Sequence, residues 1–199
     1  MSDDRPMSVR FNIAFVLVVV CLATPAWSDY KAGEDAYHRG DYATAVREWS
    51  PLAELGLAAA QFHLGQLYAN GQGVPQDYVQ ARQWYEKAAL QGDASAQLNL
   101  GVLYENGSGV PKDYQLALFW FRRSANHGNA MTLTKLGRMY EHGNGVPKDV
   151  VQAQKWYILG AADGDKLGAE LRDALAKRMT PAQLFQAQER AREWKPKSK

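Results

Sequence analysis

Four histidines are the side chains in this chain whose type most readily suggests metal binding or acid–base chemistry. They are His38, His63, His127 and His142. Such a site needs ligands that the fold brings together, usually with a carboxylate among them. No two of the four stand at ligand spacing with a carboxylate between them, and two of them begin His-Gly-Asn segments. We therefore interpret them as polar turn residues and predict neither a metal site nor a cofactor.

Cysteine chemistry is confined to Cys21, the single cysteine among 199 residues. It lies in a segment whose pattern is typical of a cleavable secretory signal: basic residues, an apolar run and small residues, in that order. These are Arg5 and Arg10, Ile13 to Ala23, and Ala26 and Ser28. The run is too short for a membrane span, which needs about 20 residues. We expect export to the periplasm or beyond the cell, with cleavage near Ser28 and Asp29, and hence a mature chain without thiol chemistry.

Glycine-rich loops occur three times as Gly-x-Gly-Val-Pro, beginning at Gly71, Gly107 and Gly143. A phosphate-binding loop uses consecutive backbone N–H groups, but here the proline removes one of them. We interpret these loops as helix stops and predict no catalytic residues. The formal charge of +2 is spread along the chain, which disfavours nucleic-acid binding. The basic end at Lys195, Lys197 and Lys199 is interpreted as a solvated tail.

The dominant feature is a repeat with a period of 36 residues, whose copies span 58–93, 94–129 and 130–165 without a gap. Its recurring positions are Leu64, Gly65, Tyr68, Gly73, Val74, Pro75, Ala81 and Trp84 in the first copy. The first half of each copy predicts an amphipathic helix, here called helix A, in which Gly65 lets a neighbouring helix approach closely, and Gly-Val-Pro ends it. An aspartate, Asp77 in the first copy, then caps a second helix, helix B. Such helix pairs bury their apolar sides only by stacking, so we predict an all-α, right-handed superhelical solenoid.

The two ends depart from the repeat. Residues 29–57 match the helix-B half of a copy and have a shorter turn, so we predict a divergent N-terminal repeat there. Residues 166–199 predict an A-type helix, a further helix that Thr180, Pro181 and Gln183 begin, and the basic tail. We expect these helices to cap the stack.

The repeated residues resemble the Sel1-like repeat family, relatives of the tetratricopeptide repeats. The signature Ala-x3-Leu-Gly-x2-Tyr-x2-Gly-x-Gly-Val-Pro-x-Asp-x3-Ala-x2-Trp is complete in residues 60–84 and 96–120. The third copy departs from it at Thr132, from which we expect no consequence. The resemblance implies an adaptor or regulator that binds proteins, including in envelope processes. Cysteine-rich members with assigned β-lactamase or penicillin-binding activity carry paired cysteines that this chain lacks.

The side of helix A that points farthest from the core is the predicted partner surface. Counting 100° per residue from Leu64 selects eight residues. They are Phe62, Gln66, Leu98, Val102, Glu105, Thr134, Arg138 and Glu141. We predict that they line a concave groove for a protein or peptide, with Arg138 and Glu141 selecting its charge. The alternative is that Phe62 and Leu98 pack against the adjacent repeat.

The sequence allows two functional interpretations. We expect a monomeric, exported interaction scaffold without enzymatic activity. The alternative is a hydrolase that acts on cell-wall peptides or β-lactams, for which the sequence offers no nucleophile or metal site.

Overall fold

The computed structural model describes residues 28–127 and 129–196, and their ordered elements are helices. Residues 28–38 form α1. The other helices are α2 (Tyr42–Glu54), α3 (Ala58–Asn70), α4 (Tyr78–Leu90), α5 (Ala94–Asn106), α6 (Tyr114–Ala125), α7 (Ala130–His142), α8 (Val150–Ala162), α9 (Lys166–Ala176) and α10 (Pro181–Glu193). The predicted export signal falls almost entirely outside the described residues. Within them, no helix is both long and apolar enough to cross a bilayer.

The helices form pairs that stack in chain order, which confirms the all-α repeat solenoid. The A-type helices α3, α5 and α7 alternate with the B-type helices α4, α6 and α8, and each helix packs against the next one along the chain. The core follows the same order as a series of apolar clusters that lie between successive pairs.

Aspartate caps begin the helices where the sequence predicted them. Asp77 Oδ1 accepts hydrogen bonds from the backbone N–H groups of Val79 (2.8 Å) and Gln80 (3.0 Å). Asp113 and Asp149 cap α6 and α8 in the same way. These bonds satisfy donors that the first turn of a helix leaves without partners.

A glycine on each A helix faces an aromatic ring on the B helix of the same pair. A Cβ on Gly65 would lie 2.5 Å from Tyr85 Cδ1, and one on Gly101 would lie 2.5 Å from Phe121 Cε1. Gly137 contacts Tyr157 in the same way. The rings are buried, so the missing side chain is what lets the two helices approach this closely. The prediction that this glycine serves a close helix contact is confirmed.

Each Gly-x-Gly-Val-Pro loop connects the two helices of one pair and also contacts the preceding pair. Gly71 ends α3 with φ of 68° and Gly73 has φ of 72°, in the left-handed region that favours glycine. A Cβ on Gly73 would lie 2.5 Å from the carbonyl group of Tyr42, at the start of the preceding B helix. Gly109 and Gly145 meet Tyr78 and Tyr114 in the same way. The second glycine of each loop is therefore an inter-repeat contact as well as part of the helix stop.

Thr132 has a structural consequence, contrary to our expectation from the sequence. Its Oγ1 lies 2.9 Å from Ser124 Oγ, and both side chains are fully buried. Ser124 Oγ also donates to the backbone oxygen of Ala94 (2.7 Å). Residues 36 positions earlier, Ala88 and Ala96, make the equivalent contact without polar atoms. The Thr132 hydroxyl stands where the preceding repeat has only the methyl group of Ala96. It is paired with the hydroxyl of Ser124 on α6, which stands where that repeat has Ala88.

The C-terminal helices cover the last repeat. The capping box predicted from Thr180 and Gln183 begins α10. Helix α10 packs against α8, where Trp194 meets Trp156 edge to face with ring centroids 5.6 Å apart. The tail beyond residue 196 lies outside the described residues.

Candidate protein-binding surface

The eight predicted residues lie at matching positions on α3, α5 and α7, and we call the side of these helices that carries them the helix-A face. Because the repeat period is constant, equivalent residues stand side by side in three rows. The first row is Phe62, Leu98 and Thr134. The second is Gln66, Val102 and Arg138. The third, in which the first repeat contributes Ala69, ends with Glu105 and Glu141.

The first row is mostly interior. Leu98 and Thr134 are only 7% and 3% exposed, whereas Phe62 is half-buried. Leu98 packs in the cluster that contains Phe121 and Leu133. The helical-wheel angle did not account for the neighbouring repeats, which cover the flank of each A helix. Leu98 therefore fits the packing alternative that the sequence left open, and Thr134 likewise belongs to the interior.

The second row is the accessible one. Gln66 and Val102 are partly exposed, and the Arg138 side chain is exposed. Gln66 Oε1 lies 3.1 Å from His63 Nδ1, which holds the amide against its own helix. Within the described residues Arg138 makes no ion pair. Its guanidinium is therefore available to an anionic group of a partner.

The third row is engaged in bonds between helix pairs. Lys135 Nζ lies 2.6 Å from Glu105 Oε2. Glu141 accepts a hydrogen bond from Tyr157 Oη (2.7 Å) and pairs with Arg178 Nη2 (2.5 Å). Burial alone would raise the pKa of Glu141, but the bonds from Tyr157 and Arg178 outweigh it, and the net pKa is lowered. Both carboxylates are thus bound within the molecule, which leaves Arg138 as the charge on this face that a partner can reach.

A cavity of about 150 Å³ extends the helix-A face between α7 and α9. Its lining residues are Met131, Thr134, Lys135, Arg138, Asp165 and Leu167. Met131 and Leu167 are 62% and 48% exposed, although both are large and apolar. The Asp165 carboxylate caps α9 by accepting from Leu167 N (3.1 Å). The cavity therefore offers two apolar walls beside the Arg138 guanidinium, whereas Lys135 is paired with Glu105 and Asp165 with the start of α9.

Sequence reasoning missed Met131 and Leu167, although the repeat period held the signal. Both occupy the second position of an A helix, where the first two copies have Ala59 and Ser95. A change from a small residue to a large apolar one at an exposed position stands out only when the copies are compared for their differences. Lys135 was missed for the same reason, since Asn99 occupies its position in the second copy.

His63 lies in an aromatic cluster rather than in a turn, unlike our interpretation from the sequence. Its ring stacks on Trp49 with centroids 4.5 Å apart and planes 17° apart. Tyr37 and Phe62 also contact it. Burial lowers the pKa of His63. The ring therefore belongs to the packing of α3 against α1 and α2.

The remaining histidines stand apart from one another. His38 ends α1, His127 follows α6, and His142 ends α7 with Nδ1 2.9 Å from the backbone oxygen of Arg138. In residues 28–127 and 129–196, no three His, Asp or Glu side chains converge on a point where a metal ion could sit.

Comparison with known proteins gives a consistent family. The Sel1 repeat model matches residues 58–93, 94–129 and 130–165. A protective antigen of uropathogenic Escherichia coli that displays an SLR fold is 34% identical with a TM-score of 0.75, over 84% of this chain and 38% of its own. A Sel1 repeat protein of Oxalobacter formigenes is 33% identical with a TM-score of 0.71, over 84% of this chain and 72% of its own.

A third solved structure, Helicobacter pylori cysteine rich protein B, shares the fold at 23% identity with a TM-score of 0.51, over 64% of this chain and 91% of its own. No curated protein matches the chain at a comparable level. The chain spans well under half the length of the Escherichia coli antigen and about seven tenths of the Oxalobacter protein.

Proposed function

Because the chain belongs to the Sel1 repeat family, we propose that it is an exported, monomeric scaffold that binds a protein or peptide on its helix-A face. Sel1 repeat proteins generally act as non-catalytic scaffolds that bind protein partners, which supports a binding role over hydrolysis of cell-wall peptides or β-lactams. Envelope regulation or assembly is the process we propose, because the N-terminal residues fit the pattern of a secretory signal.

The observation that carries this proposal is the chemistry of the exposed A-helix positions. Val102, Met131 and Leu167 expose apolar surface along successive A helices, and Arg138 lies beside the last two without an ionic partner in the described part of the chain. Solvent alone favours polar residues at such positions, so the apolar strip indicates a surface that a partner covers. We propose that the partner places an apolar side chain between Met131 and Leu167 and a carboxylate at Arg138.

Two exposed residues offer a test that does not disturb the core. The variant Met131→Glu with Arg138→Glu replaces one apolar and one cationic side chain of the cavity with carboxylates. We expect it to lose partners that the wild-type protein captures from envelope extract, as quantified by mass spectrometry. Gln83→Glu with Lys87→Glu is the matched control, because it makes the same change in charge at two exposed residues of α4, outside the helix-A face. Equal capture by all three proteins, with unchanged circular dichroism, would remove the helix-A face as the binding surface.

Export needs a separate test. Fractionation of cells that express the full chain should place it in the periplasm or medium, and N-terminal sequencing should begin at Asp29. An unprocessed chain in the cytoplasmic fraction would contradict the export proposal and leave the binding proposal to its own test.

A further inference from the structure

The outward side of α6 differs from the same side of α4 and α8. Leu116 and Phe119 are 41% and 48% exposed there. The equivalent residues of the neighbouring B helices are polar or charged: Gln80 and Gln83 in α4, and Gln152 and Lys155 in α8. The middle repeat is therefore the one of the three that exposes large apolar side chains at these two positions.

Two arginines accompany this apolar surface. Arg122 and Arg123 are exposed, and neither pairs with a carboxylate in the described part of the chain. Arg122 Nη2 donates to Tyr140 Oη (2.6 Å), which fixes the direction of the side chain. The Arg123 guanidinium lies 5.6 Å from the ring centroids of both Phe119 and Trp120. Both charges are thus held beside the apolar surface and left for an external anion.

A cavity of about 510 Å³ separates α6 from the loop of the next repeat. Its described lining residues are Gln115, Leu118, Phe119, Arg122, Arg123, Asn126, Gly145 and Val146, with no carboxylate among them. Its volume is large enough for the side chains of a short peptide segment. A concave site of this kind suits an inserted side chain better than the flat surface of a membrane.

We propose that this α6 face is a second interaction surface, distinct from the helix-A face, and that it binds an acidic peptide segment of a partner protein that carries an aromatic or aliphatic anchor. The anchor enters the cavity beside Phe119 and Leu118. Aspartate or glutamate residues next to the anchor pair with Arg122 and Arg123. Charge complementarity favours this occupant, because the described lining offers two cations and no anion.

The test is a selection from a displayed library of random peptides, run in parallel on the purified protein and on the double variant Arg122→Glu with Arg123→Glu. We expect the recovered sequences to combine Asp or Glu with Phe, Leu, Trp or Tyr. The recovered peptide, synthesised and titrated by calorimetry, should bind the double variant at least about tenfold more weakly than wild type. Phe119→Ser should weaken binding as well, since it removes the apolar wall and keeps both charges.

Lys87→Glu is the matched control, because Lys87 stands at the α4 position equivalent to Arg123 and lies over Trp84 at 4.0 Å. It should bind the peptide as wild type does, and circular dichroism should show all variants folded. Met131→Glu with Arg138→Glu should also keep this binding, so failure of the helix-A proposal and failure of this one are distinguishable.

Four outcomes would overturn the proposal. The first is recovery of the same peptides on wild type and double variant, and the second is recovery of basic sequences. The third is sedimentation of wild type, but not the double variant, with vesicles of phosphatidylglycerol and phosphatidylcholine, which would make the face a lipid-binding surface. The fourth is self-association that the double variant abolishes, which would make a second copy the occupant, for instance through its exposed Leu55 beside Glu54.

Discussion

Residues on the inward side of the helices recur from pair to pair, whereas residues at equivalent positions on the outward side vary. Inward, the contact between an A-helix glycine and a B-helix ring recurs from pair to pair, as in Gly65 with Tyr85 and Gly101 with Phe121. Outward, equivalent positions change character, as from Gln83 to Phe119 and from Ser95 to Met131. The contrast indicates that repetition marks what the stack needs in order to form, and variation marks where a partner can bind.

The largest expected effect comes from filling an inward glycine. Gly101→Ala should lower the free energy of unfolding by about 1–3 kcal/mol, because its Cβ would overlap the buried Phe121 ring, although alanine favours a helix. Urea denaturation measures the change. In the background Phe121→Leu the cost of the same substitution should shrink, and an equal cost in both backgrounds would contradict the assigned contact.

A smaller effect is expected at the junction between α6 and α7. Ser124→Ala should cost about 1–2 kcal/mol, because it leaves the buried Thr132 hydroxyl without that partner. The double variant Ser124→Ala with Thr132→Ala reproduces the pair Ala88 and Ala96 of the preceding contact. It should lose less unfolding free energy than the sum of the two single changes. Additive costs in a denaturant cycle would show that the hydroxyls act independently.

Acid should weaken the bond that joins α7 to the C-terminal helices. The pKa of Glu141 is lowered in the folded state, so its ionised form contributes stability above the unfolded pKa of about 4.3 that is lost as pH falls toward the folded pKa. Between neutral pH and pH of about 3, Glu141→Gln should therefore lose less stability than wild type. Arg178→Gln should lie between them, and parallel curves for all three proteins would contradict the assignment.

The smallest effect is expected on the outward side. Arg138→Glu should change the free energy of unfolding by no more than about 0.5 kcal/mol, since its side chain is exposed. A larger loss by thermal unfolding would mean that Arg138 supports the fold, and would weaken its assignment to the partner surface.

The contacts on the inward side could be predicted from the sequence, and the character of the outward side only in part. Regular spacing located the helices, the caps at Asp77 and Asp113, and the close contact at Gly65. A fixed period could not find the equivalent pair in the first unit, Gly33 with Trp49, because the shorter turn brings them 16 residues apart instead of the 20 between Gly65 and Tyr85. The four-residue difference lies in the connecting turn, because Gly33 and Trp49 stand at the same distances from their helix ends as Gly65 and Tyr85 do.

Burial on the outward side could not be predicted from one helix. The angle of Leu98 on α5 predicted an outward side chain, but Leu98 packs in a cluster that contains Phe121 of its own pair and Leu133 of the next. The bonds of Glu105 and Glu141 likewise come from other helix pairs, through Lys135 and Arg178. Such contacts depend on how the pairs stack, and the angle of a residue on its own helix carries no information about them.

The most direct test of this contrast replaces the outward residues of α6 with those of α4 and measures both the free energy of unfolding and peptide binding. The variant carries Leu116→Gln, Phe119→Gln, Arg122→Glu and Arg123→Lys, which are the residues that the first repeat has at these positions. We predict an unfolding free energy within about 1 kcal/mol of wild type, because these side chains are largely exposed, and loss of the peptides selected on wild type. A marked loss of stability, or binding that survives the exchange, would contradict the account.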